Sequence, residues 1–174
     1  MKIAISGTPG VGKTVVSEIL RSKGYNVISL NKFAEEKGFI EGYDEERDSK
    51  IIDIEALDDY LKKSHKNDNI IIEGHLSHLL SVDLIIILRC DPLVLRKRLK
   101  AKDWPEKKIK ENVEAEILDV IKVEAHDIID KVYEIDTTNK STQEIALVII
   151  GILNGEYKEP QIKWLEKYDY LLFD

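Results

Sequence analysis

The sequence predicts an α/β protein, a parallel β-sheet with helices packed on both faces. Three observations lead there. Short apolar runs alternate with helical patterns along the whole 174 residues, which is the signature of strand–helix–strand units. The runs are continuous rather than alternating, Ile70-Ile71-Ile72 and Leu84-Ile85-Ile86-Ile87-Leu88 among them, as suits strands covered on both sides. Between the first run and the first helical stretch lies Gly7-Thr8-Pro9-Gly10-Val11-Gly12-Lys13-Thr14, a match to G-x-x-x-x-G-K-[ST] in the strand–loop–helix setting that motif requires.

In order, the first strand is Lys2–Ser6, and the loop feeds a helix over 13–23. A second strand at 26–30 leads to a short helix at 31–37. Residues 38–53 are charged and carry Gly42, so they read as an irregular insertion before a helix at 54–66. Strands follow at 69–73 and at Leu84–Arg89. Pro92 and Pro105 open helices over 92–101 and 105–131, where the missing proline N–H costs nothing. The fifth strand is Val132–Asp136, a helix spans 141–154, and 160–173 forms a final helix or arm.

One domain covering 1–174 suits this length. The net charge of −7 argues against general affinity for a nucleic-acid backbone. Cys90 is the lone cysteine, so no intramolecular disulfide can form, which fits a reducing cytoplasm. No signal segment and no apolar run of membrane-spanning length is present.

The glycines let successive backbone N–H groups face one concavity, and the helix that follows adds its unpaired donors and positive dipole end. The backbone of Gly10, Val11, Gly12, Lys13, Thr14 and Val15 is thereby expected to cradle a nucleoside triphosphate. Lys13 reaches the β- and γ-phosphates and Thr14 offers its hydroxyl to Mg²⁺. Glu73 ends a strand of isoleucines, the position of a carboxylate that holds Mg²⁺ directly or through water; an exposed strand-end acid is the plainer reading. His75 can orient a water or a phosphate acceptor, or serve as a polar loop residue. Arg98 and Lys102 share one helical face that can close over the transferring phosphate or lie solvated. Thr137 and Thr138 follow the last strand, where a loop can frame a nucleobase or simply cap the next helix. A guanine-reading N-K-x-D is missing, since Asn139-Lys140 has no acid two residues on, which disfavours a GTPase switch.

These residues, taken in order, resemble the adenylate kinase isoenzyme 6 group, small adenylate-kinase-like NTPases of archaea and eukaryotes. The resemblance runs to about residue 154. It rests on Gly7 to Thr14, on Gly42-Tyr43-Asp44-Glu45-Glu46 and on the acid–x–His of Glu73-Gly74-His75. It rests also on Arg89-x-Asp91 with Arg98-Leu99, and on Trp104 to Ile117 with Glu106-Lys107-Lys108-Ile109 and Asn112. It implies a P-loop NTPase three-layer α/β/α sandwich, a five-stranded parallel sheet in the order 2-3-1-4-5, and a nucleoside monophosphate kinase-like plan with a short lid. Residues 31–66 would bind the monophosphate, 99–112 would form the lid and 157–174 an arm. The implied reaction moves the γ-phosphate of Mg-ATP to AMP, with Lys13, Glu73, His75 and Arg98 catalytic and Thr14 and Glu73 at the metal. Implied as well are ATP hydrolysis involving His75, a role in maturing the small ribosomal subunit, and a basic ribosomal protein partner of the S11 type. The chain departs from the group in having Glu73 where Asp is usual. It also has Lys32 and His75-Leu76-Ser77-His78 where adenylate kinases place arginines, so the acceptor phosphate is left to Lys32, Arg47, His75 or Arg89. Trp104 packs at the lid hinge or stacks on a base, and the aromatic arm docks on its own domain or on a partner.

Overall fold

The first strand in the sequence becomes the middle strand of the sheet. In a computed structural model, which describes residues 1–66, 68–157 and 162–172, β1 (Lys2–Ser6) is flanked by the later strands. On one side lies β5 (Ile70–Glu73), on the other β6 (Leu84–Arg89), both parallel to β1. Outside β5 lies β2 (Val27–Ser29) and outside β6 lies β7 (Val132–Asp136), so the order is β2-β5-β1-β6-β7. Counting only the strands of this sheet, that is the expected 2-3-1-4-5.

Side chains alternate across the sheet with the period of two that strands impose. Ile3, Ile5, Ile86 and Leu88 enter one core. There they meet α1 (Lys13–Ser22), α4 (Pro92–Lys100), α5 (Glu106–Ile117) and α7 (Thr142–Leu153), through Leu20, Leu99, Val113 and Ile149. Ile70 and Ile72 face the other way, onto α2 (Leu30–Lys37) and α3 (Ile54–Ser64), while Ala4, Ile85 and Ile87 meet Ala125 of α6 (Val120–Ile128). Three layers result. The helix starts carry the expected chemistry. Asp91 caps α4 by accepting from the Leu93 N–H at 3.0 Å, with Pro92 next, and Ser141 and Glu144 form a capping box on α7.

Two expectations are corrected. Residues 38–53 are not irregular: β3 (Ile40–Asp44) and β4 (Ser49–Ile52) form an antiparallel hairpin, with a register shift between Ile40 and Gly42 and Asp48 in the left-handed region at φ 47°. Half-buried positions alternate with exposed ones along β3, but the half-buried places hold Ile40, Gly42 and Asp44 rather than a run of apolar side chains, and the turn lacks an Asn-Gly signal. The single helix over 105–131 is in fact two. It breaks where Asp119 takes φ 56°, and its carboxylate there pairs with buried Arg89; no Gly or Pro marks the break, so the apolar period runs through it. Beyond α7, α8 (Trp164–Tyr168) and a 3₁₀ turn (Asp169–Leu172) make up the arm; residues 158–161 and 173–174 of the expected segment lie outside the described residues. Among the described residues no helix is long and apolar enough to cross a membrane.

Candidate nucleotide site

The loop between β1 and α1 lies hard against the core. A Cβ on Gly7 would come within 2.3 Å of the Leu88 carbonyl oxygen, and one on Gly10 within 2.9 Å of Leu99, both at positive φ. Only glycine permits this path. Inside the loop the buried Lys13 ammonium donates to the carbonyls of Gly7 (2.6 Å) and Thr8 (3.1 Å). Burial lowers its pKa from 10.5 to about 8, against the opposing pull of Glu73 and Glu116 and with a small push from Lys102.

Above the loop opens a cleft of about 750 Å³ at the carboxyl ends of the strands, where ligands bind in open α/β sheets. Glu73 closes β5 and lines the cleft at 6% exposure. Among the described residues its carboxylate has no hydrogen bond or ion pair. His75 lines the cleft two residues on, and burial lowers its pKa to about 4, helped by the charges of Lys13, His78 and Lys108. It is therefore neutral at pH 7. The opposite wall is Arg98 and Lys102 with Trp104. The Arg98 guanidinium donates to the carbonyls of Thr137 (3.3 Å) and Thr138 (3.4 Å), tying α4 to the loop after β7.

The cleft thus gathers Gly10, Val11, Gly12, Lys13, Thr14 and Val15 with Glu73, His75, Arg98, Lys102 and Thr137. The Thr137 hydroxyl donates to the carbonyls of Val11 (3.0 Å) and Arg89 (2.8 Å); its side chain clamps the phosphate loop to β6. Thr138 is turned away. Its hydroxyl accepts from the Asp91 N–H at 2.9 Å and donates to Asp136. Asn31, from the segment 31–66, and Lys140, from the loop after the last strand, also line the cleft, as do Thr142 and Ile145, which sequence reasoning missed. Thr142 and Ile145 sit three apart at the start of α7, a spacing that puts them on one face once the cap at Ser141 is recognised.

Of the four candidates for an acceptor phosphate, Arg89 is excluded. It is 2% exposed and saturated by Glu116 (2.7 Å), Glu134 and Asp119. Lys32 is exposed on α2. Arg47 stands at the hairpin tip, paired with Asp44 at 3.1 Å and with Glu111 of α5 at 3.7 Å. That tip is gripped by α5. Lys107 pairs with Glu46, and the Lys108 ammonium donates to the Arg47 carbonyl at 2.5 Å while standing 4.4 Å from the centre of the Trp104 ring. Cys90 is buried, and burial raises its thiol pKa to about 11.

A phosphate loop on the central strand, beside a strand-end acid, defines the P-loop class of α/β nucleotide-binding proteins. Solved structures share the fold. The YorR protein in complex with phosphorylated GDP from Bacillus subtilis matches with a TM-score of 0.60 at 20% identity, over 92% of this chain and 100% of that one. A shikimate kinase from Bacteroides thetaiotaomicron gives 0.59 at 16%, over 89% and 98%. The AAA domain family matches residues 3–119. Full-length relatives carry the name "Putative adenylate kinase". The one from Archaeoglobus fulgidus is 45% identical over 97% of this chain and 94% of its own length. The one from Pyrococcus abyssi is 42% identical over 99% and 96%, and that from Methanocaldococcus jannaschii 42% over 100% and 99%. The chain belongs to this archaeal family.

Proposed function

We propose that the protein is a nucleoside monophosphate kinase that moves the γ-phosphate of Mg-ATP to AMP, giving two ADP. The observation that carries this reading is the cleft's pairing of a buried lysine inside the phosphate loop with a buried, partnerless carboxylate at Glu73. The relatives' shared name and the kinase-type fold support it.

An oxygen of the AMP phosphate attacks the γ-phosphorus. The bond from that phosphorus to the bridging oxygen breaks, and its electron pair leaves with ADP. The attacking oxygen is already anionic, so no general base is needed, and positioning with charge neutralisation supplies the rate. Loop N–H groups from Gly10 to Val15 and the Lys13 ammonium hold the donor polyphosphate. Arg98 and Lys102 face it from the other wall, and the loop at Thr137 borders the base. The acceptor enters on the side of residues 31–66, beneath the hairpin. His75, neutral at pH 7, can donate or accept there without adding charge.

Magnesium fits these residues. The Thr14 hydroxyl and the Glu73 carboxylate are hard oxygen donors on one cleft. Among the described residues no cluster of three or more His, Cys, Asp or Glu could hold a metal alone, so phosphate oxygens and water would complete the shell. When bound, the ion neutralises charge on the β- and γ-oxygens.

Lys13→Ala should lower AMP phosphorylation on the order of 10²–10³-fold with the fold intact by circular dichroism. Near-normal transfer by that variant refutes the assignment. A second reading is ATP hydrolysis in the cytoplasm that gates docking of a basic ribosomal protein of the S11 type. The acidic balance of the chain, a net charge of −7, favours it. Comparing turnover with ATP alone and with added AMP, CMP or UMP separates the two; His75→Ala should damage hydrolysis more than transfer.

A further inference from the structure

Glu116 is a buried carboxylate on the last turn of α5, 2% exposed, that the reaction above leaves without a task. One of its oxygens accepts from the Arg89 guanidinium at 2.7 Å and from the Cys90 N–H at 3.1 Å. Its other oxygen accepts at 2.5 Å from the hydroxyl of Thr8, the second residue of the phosphate loop. Arg89 already has Asp119 and Glu134 as counter-charges, so the oxygen on Thr8 is free for a different purpose. Thr8 is itself 3% exposed, and its carbonyl accepts from the Lys13 ammonium at 3.1 Å and from the Val11 N–H at 3.3 Å. Its side chain is fixed from α5 and its carbonyl faces the lysine. Rotating this one peptide would carry the carbonyl off Lys13. The same α5, about 7–14 Å nearer its start by helical rise, bears Lys107, Lys108 and Glu111, which hold the hairpin tip.

We propose that Glu116 is a positioning residue for phosphoryl transfer: it fixes Thr8 and, through the Thr8 carbonyl, the place of Lys13, so that the helix gripping the hairpin also sets the phosphate loop. This deepens the kinase reading and rests on it for its catalytic consequence. A purely structural Glu116 would serve Arg89 alone, and Thr8→Val tests the difference because it exchanges the hydroxyl for a methyl and removes none of the charged partners of Arg89.

Thr8→Val is expected to lower kcat for AMP phosphorylation roughly 10–100-fold, the loss that follows a small misplacement of a reacting group. KM for AMP should stay within about twofold, and Thr8→Ser should restore kcat. Glu116→Gln should fall in the same direction. In ligand-free protein, Thr8→Val should also speed amide hydrogen exchange across residues 7–14, and Thr8→Ser should not. Wild-type kcat in Thr8→Val, or a loss that serine fails to restore, overturns the proposal. If the wild-type protein phosphorylates no nucleoside monophosphate, the kinase reading falls by itself. The exchange measurement then decides the loop positioning alone, and unchanged exchange in Thr8→Val overturns it.

Discussion

Lys13 owes its chemistry to what surrounds it. Among the described residues no carboxylate pairs with it; its partners are loop carbonyls, and burial has lowered its pKa to about 8. The ligand-free lysine is therefore mostly neutral above pH 8, and the burial cost of its charge, full below pH 8, fades as pH rises towards its unfolded value of 10.5. A bound polyphosphate favours the ammonium again. Nucleotide binding between pH 8 and 10.5 should then take up a proton, and affinity should fall as pH rises through that window. Calorimetry in two buffers of different ionisation enthalpy reads this directly: Lys13→Met should lose the uptake, and equal heats in both buffers for the unaltered protein would contradict it. That Lys13, Thr14 and Glu73 share one cleft was legible in the sequence because a short motif and a strand end fix them locally. Arg89 was misjudged because its carboxylate partners lie 27, 30 and 45 residues away. Nothing in its neighbourhood announces that they converge. The Thr138 hydroxyl is taken up by the Asp91 N–H after the neighbouring strand and by Asp136 two residues before it.

At the scale of elements, β1, β5 and β6 were readable because buried parallel strands are written as near-continuous apolar runs. The hairpin was not, since apolar Tyr43 and Ile51 lie outward on it while Gly42, Asp44 and Ser49 take half-buried places, so no clean apolar alternation marks either strand. The break between α5 and α6 was equally hidden, because no Gly or Pro marks it and the Asp119 at its centre pairs with Arg89 from a distant strand. Arg89 joins β6, α5, the break and β7 in one buried knot, with Lys122 completing it through Glu134 at 2.7 Å. Removing one member of such a knot strands the others as uncompensated charge. Arg89→Leu is expected to cost about 3–5 kcal/mol in urea unfolding. By contrast Arg47→Ala, at the exposed hairpin tip, should leave the midpoint where it is. Equal effects of the two substitutions would mean that the buried knot holds nothing together.

Across the whole molecule, the arm answers a question the sequence left open. It folds back on its own domain: Ile162 and Tyr168 are buried, and Tyr168 joins the core beside α5. The Tyr168 hydroxyl donates to Asp91, which also pairs with Lys167 at 3.2 Å and caps α4. Residues near the end of the chain thereby steady the helix that carries Arg98. Tyr168→Phe should cost about 1–2 kcal/mol in urea unfolding while leaving the oligomeric state by gel filtration unchanged; no loss of stability would show the bond to be incidental. The sheet order has a consequence for synthesis as well. The strand that emerges from the ribosome before the other four must wait for both of its neighbours, and the second of these ends at residue 89. The wall behind the glycine-rich turn comes later still, because it is made of Leu88, Leu95 and Leu99. A half-translated chain of this kind lacks the packed wall behind its phosphate loop, so the loop's setting is completed late although its residues are made early.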